Sequence, residues 1–92
     1  MIWSVLQTRK FSRVYKKLHP NIRLEVDKAV SAVIKDPSLG VKKRGDLSEL
    51  WVYKFHANSQ LYLLGYTLDE QPRLVYIESV GSHENFYKEL KR

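Results

Sequence analysis

The hydrophobic pattern of this chain changes period once, and that change decides what the chain can fold into. Phe11, Val14, Tyr15 and Leu18 fall at i, i+3, i+4 and i+7, while Arg9, Lys10, Arg13, Lys16 and Lys17 fill the remaining angular space. The spacing predicts a helix with one packing face and one basic stripe, and Thr8 offers a hydroxyl cap at its start. His19-Pro20-Asn21 breaks the pattern, because a residue before proline avoids helical angles and proline suits the first turn of a new helix. Ile22, Val26, Ala29, Val30, Val33 and Ile34 then continue at helical spacing until Asp36-Pro37-Ser38-Leu39-Gly40 ends the second helix. Ahead of this helical hairpin, Ile2 to Gln7 reads as a short strand.

Beyond position 50 the period is two. From Leu50 to His56, Trp51, Tyr53 and Phe55 take one face and Val52, Lys54 and His56 the other, so the aromatic face is expected to be buried. Ala57-Asn58-Ser59-Gln60 is rich in turn formers, and Leu61 to Thr67 is a second β-favouring run in which Gly65 marks a bulge or a close-packing point. Arg73 to Val80 is the third run, completing a three-stranded antiparallel meander. From His83 a short helix is expected, capped by Ser82, with Glu84 in its first turn and Lys88, Lys91 and Arg92 near its end. The order predicts an α+β fold: an N-terminal strand, a helical hairpin on one face of a small twisted sheet, the meander, and a short C-terminal helix. The face carrying Val52, Lys54 and His56 is expected to stay open, bordered by the basic loop Lys42-Lys43-Arg44 and by the segment from His83.

Residues 1–92 are expected to form a single domain, since a chain of 92 residues has no room for two cores. With 43% hydrophobic and 12% aromatic residues it lies outside the composition of disordered chains. No run of apolar residues is long enough for a membrane span, so a cytoplasmic protein without a membrane partner is expected. The absence of cysteine removes disulfides, thiolate zinc sites and cysteine nucleophiles together. The net charge of +6 is unevenly spread: positions 1–44 hold eleven Lys or Arg against three acids, and positions 45–92 hold five against seven. The basic first half points to a polyanion, foremost a nucleic acid.

The spacing of His19, His56 and His83 suits no metal site, and no glycine-rich phosphate loop or nucleophile elbow is present; no cofactor is expected. The remaining constellation is cationic: Lys43, Arg44 and Lys54 with His56, His83 and Tyr87. RNA cleavage by internal attack needs a base for the 2′-hydroxyl, positive charge for the pentavalent phosphorane and an acid for the departing 5′-oxygen, and these side chains supply all three without a metal. His83 suits the acid, because histidine changes protonation near neutral pH, while Arg44 and Lys54 suit the phosphate oxygens. The alternatives are ordinary: His83 as a helix-terminal residue, Lys54 as a solvated sheet lysine, and Phe86 and Tyr87 as anchors of a short helix instead of platforms for bases.

The runs Lys43-Arg44-Gly45-Asp46-Leu47, Leu50-Trp51-Val52-Tyr53-Lys54-Phe55 and Leu74-Val75-Tyr76-Ile77-Glu78-Ser79-Val80-Gly81-Ser82-His83-Glu84-Asn85-Phe86-Tyr87 resemble, in order and spacing, the RelE/ParE superfamily of type II toxins. The resemblance implies a ribosome-dependent mRNA endonuclease, an mRNA interferase that cuts in the ribosomal A site by metal-independent 2′-hydroxyl attack and so inhibits translation during bacterial stress. It also implies an antitoxin partner, forming a hetero-oligomer with the toxin. Under it His83, Lys54, Arg44 and Tyr87 are catalytic, and Lys43, Phe86, His56, Arg9, Lys10, Arg13, Lys16 and Lys17 bind mRNA and the RNA of the small ribosomal subunit. His83 stands where RelE itself has arginine, which is similar to the YafQ-like members. Two positions depart from RelE: Gln60-Leu61-Tyr62-Leu63 lacks the usual strand arginine, and Val52 replaces a second sheet-face lysine. The ParE branch shares the fold but poisons DNA gyrase without cutting RNA, which is the alternative reading.

Overall fold

The computed structural model describes residues 3–43 and 49–90. Strand β1 (Ser4–Gln7) leads into α1 (Arg9–Lys17) and α2 (Pro20–Lys35); a 3-10 turn (Pro37–Leu39) and a two-residue strand β2 (Val41–Lys42) follow. Then come β3 (Trp51–Ala57), β4 (Gln60–Asp69), β5 (Leu74–Ser82) and α3 (His83–Leu90). The five strands form one mixed sheet in the order β1-β5-β4-β3-β2, with β1 parallel to β5 and the other neighbours antiparallel. This is the expected α+β architecture, with strand and helix ends shifted by at most two residues. No helix among the described residues is long and apolar enough to cross a membrane.

Local chemistry explains the elements. Thr8 caps α1 by accepting from the Phe11 backbone N–H at 3.1 Å, and its hydroxyl donates to the Glu78 carbonyl on β5 at 3.1 Å, so one side chain starts the helix and seats it on the sheet. The expected break at His19-Pro20 is present, and His19 does more than turn the chain. Its Nδ1 accepts from the Asn21 N–H at 3.2 Å, making it the N-cap of α2. Asn58 and Ser59 both adopt positive φ (52° and 62°) in a two-residue loop, the backbone of a type I′ hairpin turn, whose twist matches the strands it joins. The β4–β5 register slips between Gly65 and Tyr66, where a bulge was anticipated. Strand β2 was read only as part of a basic loop; it pairs with Trp51 and Val52 of β3.

The main core lies between the helical hairpin and the inner sheet face: Phe11, Val26, Ala29 and Val33 pack on Leu64, Tyr66, Val75, Ile77 and Val80. The aromatic face of β3 turns toward the core as its alternation predicts but is only half-buried, with Trp51 stacked on Tyr66 at 6.4 Å between centroids. The Tyr15 hydroxyl on α1 donates to Asp27 of α2 at 2.6 Å, and that hydrogen bond, with burial, raises its pKa above the usual tyrosine value.

Tyr66 fastens the end of α2 to the sheet. Its fully buried phenol donates to the Pro37 carbonyl and accepts from the Gly40 N–H at 3.0 Å. Gly40 is required here, because a Cβ would collide with the Tyr66 hydroxyl and lie 3.1 Å from the Val52 carbonyl. Burial pushes the Tyr66 phenol up to about 12. An unfolded tyrosine ionises near pH 10, so the neutral buried phenol stabilises the fold fully below about pH 10 and that contribution is lost as pH rises toward about 12. Tyr66→Phe is expected to cost about 1 to 3 kcal/mol at neutral pH, because the buried Pro37 carbonyl and the half-buried Gly40 N–H lose their partner. It is also expected to flatten the alkaline decline, to which Tyr15 contributes as well. Urea unfolding of both proteins at neutral and alkaline pH reads the two effects; parallel declines in both would show that Tyr66 does not titrate on unfolding.

Candidate active site on the outer sheet face

The outer face follows from alternation. Lys54 and His56 of β3 are exposed there, two residues apart on one strand, and the register places them across from Leu63 and Leu61 of β4. The third residue of this row, Val52, is not open as expected: it is 2% exposed. The reason is α3, which folds back onto β4 and β5 and closes a second core of Leu50, Val52, Leu63 and Phe86. The sheet admits the helix at Gly65, where a Cβ would stand 2.7 Å from Cζ of Phe86; a Cβ on Gly81 would only make ordinary contact, 3.7 Å from the Phe86 Cα.

Docking of α3 brings the sequence-derived residues together. His83 opens the helix, exposed, and Tyr87 follows four positions later on the same helical face. The Tyr87 ring meets the Phe86 ring edge-on at 5.1 Å and 89°, while the Lys43 ammonium lies 5.5 Å from the Tyr87 centroid. Lys43 is itself placed by its N–H donating to the Leu50 carbonyl at 2.8 Å, which extends the β2–β3 pairing by one residue. Lys43, Lys54, His56, His83 and Tyr87 therefore border the uncovered part of the outer face. Phe86 does not join them as an RNA-binding residue: at 2% exposure its ring is in the second core, and its part is to anchor α3. Arg44 lies outside the described residues.

Sequence reading did not name Gln60, Leu61, Glu84 or Asn85 as site residues. They line, with Ser82 and His83, a polar cavity of about 420 Å³ at the head of α3. Their only signal was position, at the first turn of the last helix and the start of β4. On the other side of β5, a groove of about 390 Å³ runs between α1 and α3, bordered by Lys10, Val14, Tyr62 and Asn85; Ser79 lines it, and its buried hydroxyl has no hydrogen-bond partner among the described residues. Arg9, Arg13, Lys16 and Lys17 are exposed along α1 and Lys10 is half-buried, so the basic stripe is present as a surface.

This sheet order and helix placement are shared with solved RelE structures. The toxin–antitoxin complex RelBE2 from Mycobacterium tuberculosis matches with a TM-score of 0.80 and 24% identity over 90% of this chain and 100% of that one. A doubly substituted E. coli RelE toxin in the free state matches with a TM-score of 0.74 and 21% identity over 100% of this chain and 98% of that one. No curated protein sequence matches the chain. The model of the ParE-like toxins of type II bacterial toxin–antitoxin systems matches residues 5–91. The chain belongs to that family and is a type II toxin of the RelE/ParE superfamily.

Proposed function

We propose that this toxin is a ribosome-dependent endoribonuclease that cuts mRNA in the A site by metal-independent 2′-hydroxyl attack. The observation that carries the reading is the cationic border of the outer face, where Lys54 is exposed beside His56 and the docked α3 presents His83 and Tyr87. In this reading the attacking O2′ forms a bond to phosphorus while the bond from phosphorus to O5′ breaks. Lys54, assisted by Lys43 and Arg44, stabilises the charge that builds on the non-bridging oxygens. His83 protonates the departing O5′, and Tyr87, held between Phe86 and Lys43, orients the nucleotide. The products are a 2′,3′-cyclic phosphate and a 5′-hydroxyl.

The α1 stripe of Arg9, Lys10, Arg13, Lys16 and Lys17 binds ribosomal RNA phosphates. Its affinity is expected to fall steeply with salt, and Arg13→Glu with Lys17→Glu is expected to reduce the slope of log affinity against log salt by about two. Ribosome co-sedimentation at several salt concentrations measures this; an unchanged slope removes α1 from the ribosome interface. In the cytoplasm the toxin is held inactive by an antitoxin. The complexed state of the M. tuberculosis neighbour supports this, as does the groove between α1 and α3, whose largely apolar lining, with Val14, Leu18, Tyr62 and Val80, suits an apolar segment that folds on binding.

The ParE-like family description favours a competing reading, a gyrase-directed toxin without nuclease activity. Primer extension on a defined mRNA in a purified translation system, with and without ribosomes, separates the two. Ribosome-dependent cuts at A-site codons are expected. Intact mRNA from a preparation that is toxic in cells and stalls gyrase would establish the other.

A further inference from the structure

Resting on the endoribonuclease reading, we infer that His56 is the general base of the reaction and works as a pair with His83 across the central strand. The β3–β4 register sets His56 opposite Leu61, and the β4–β5 register sets Tyr62 opposite Ser82, so the position after Ser82, His83, flanks Leu61 from the other side. Leu61 and His83 line the same cavity. Tyr62 and Leu64 are buried on the helix side of β4, which leaves Leu61 on the outer face with His56. Two imidazoles thus stand on either side of one apolar side chain, their backbones separated by two strand spacings, about 10 Å. That gap admits a phosphodiester resting on Leu61, with its non-bridging oxygens toward Lys54 one pair further along the same face.

The chemistry distinguishes His56 from Lys54 for the base. A base must keep its lone pair at the working pH, which imidazole does and which a lysine achieves only when desolvated; Lys54 is exposed. His56 takes the proton from the 2′-hydroxyl as O2′ bonds to phosphorus, and His83 gives its proton to O5′ as that bond to phosphorus breaks. Water then takes the proton from His56 and resupplies His83. The other charged groups bordering this row are Lys54 on β3 and Glu84 on α3, with Lys43 beside Tyr87.

Single-turnover cleavage on mRNA-programmed ribosomes, followed from about pH 5.5 to about pH 8.5, tests the pair. Wild type is expected to give a bell. His56→Gln is expected to lose about 10² to 10⁴ in rate together with the acidic limb, and His83→Gln to lose the alkaline limb. A substrate with sulfur in place of the scissile O5′, whose thiolate leaves unprotonated, is expected to restore cleavage by His83→Gln and not by His56→Gln. Both histidines are exposed, so thermal melts of the variants are expected to match wild type. His56→Gln that keeps its acidic limb, loses less than tenfold in rate, or is itself rescued by the sulfur substrate overturns the assignment while leaving the nuclease intact. No cleavage by wild type at any pH overturns both.

Discussion

Phe86→Ala is expected to release α3 from the sheet and with it both residues that α3 contributes to the candidate site. The ring is 2% exposed and fills the space over Gly65, so its removal takes about 3 to 5 kcal/mol from the docking of the helix. An eight-residue helix has no independent stability in water, since isolated helices shorter than about 12 residues are marginal. The main core under the helical hairpin does not include Phe86. Amide exchange should therefore collapse for α3 while Val26, Val33 and Ile77 remain protected, and cleavage should fall with it. Protected α3 amides in the variant would mean that Leu50, Leu63 and Tyr87 suffice to hold the helix. Gly65→Val approaches the same state from the sheet side, by filling the place of the ring.

The second large effect concerns the reaction. His83→Ala is expected to reduce single-turnover cleavage by about 10² to 10⁴, and Lys54→Ala by about 10² to 10³, the ranges for losing a general acid and one charged stabiliser of a transition state. Lys54→Arg is expected to recover part of the loss because it restores the charge. Both side chains are exposed and in neither core, so melting temperatures should stay at the wild-type value. Cleavage that survives His83→Ala would return this residue to the role of a helix-terminal histidine. Toxicity that survives both substitutions would favour gyrase as the target.

The helical hairpin and the meander were legible because each buries one face, and a buried face writes its period into the sequence: Val26, Ala29 and Val33 are the residues the 3.6 spacing selects, and Trp51, Tyr53 and Phe55 those the alternation selects. What was not legible depended on contacts far apart in the chain. Val52 alternates with Lys54 and His56 and so looked open; only the return of α3 through Gly65 covers it. Phe86 and Tyr87 are adjacent and chemically alike, but the helix turns one into the sheet and the other toward Lys43, and no local rule separates them. Strand β2 has two residues and therefore no period to read. The cap function of His19 was hidden because histidine is not among the usual capping residues.

The parallel pairing of β1 with β5 sets a timetable for the toxin's own birth. Ser4 to Gln7 take Leu74 to Ile77 as neighbours, seventy positions later in the chain, and the same strand β5 runs directly into α3. Contacts of such long sequence separation form slowly and late, because the intervening loop must close first. Helices α1 and α2 are translated early, whereas the sheet they pack on waits for β5 to leave the exit tunnel. Strand β5 thus closes the sheet and delivers α3 in the same step, so the residues that α3 brings to the outer face take their places last.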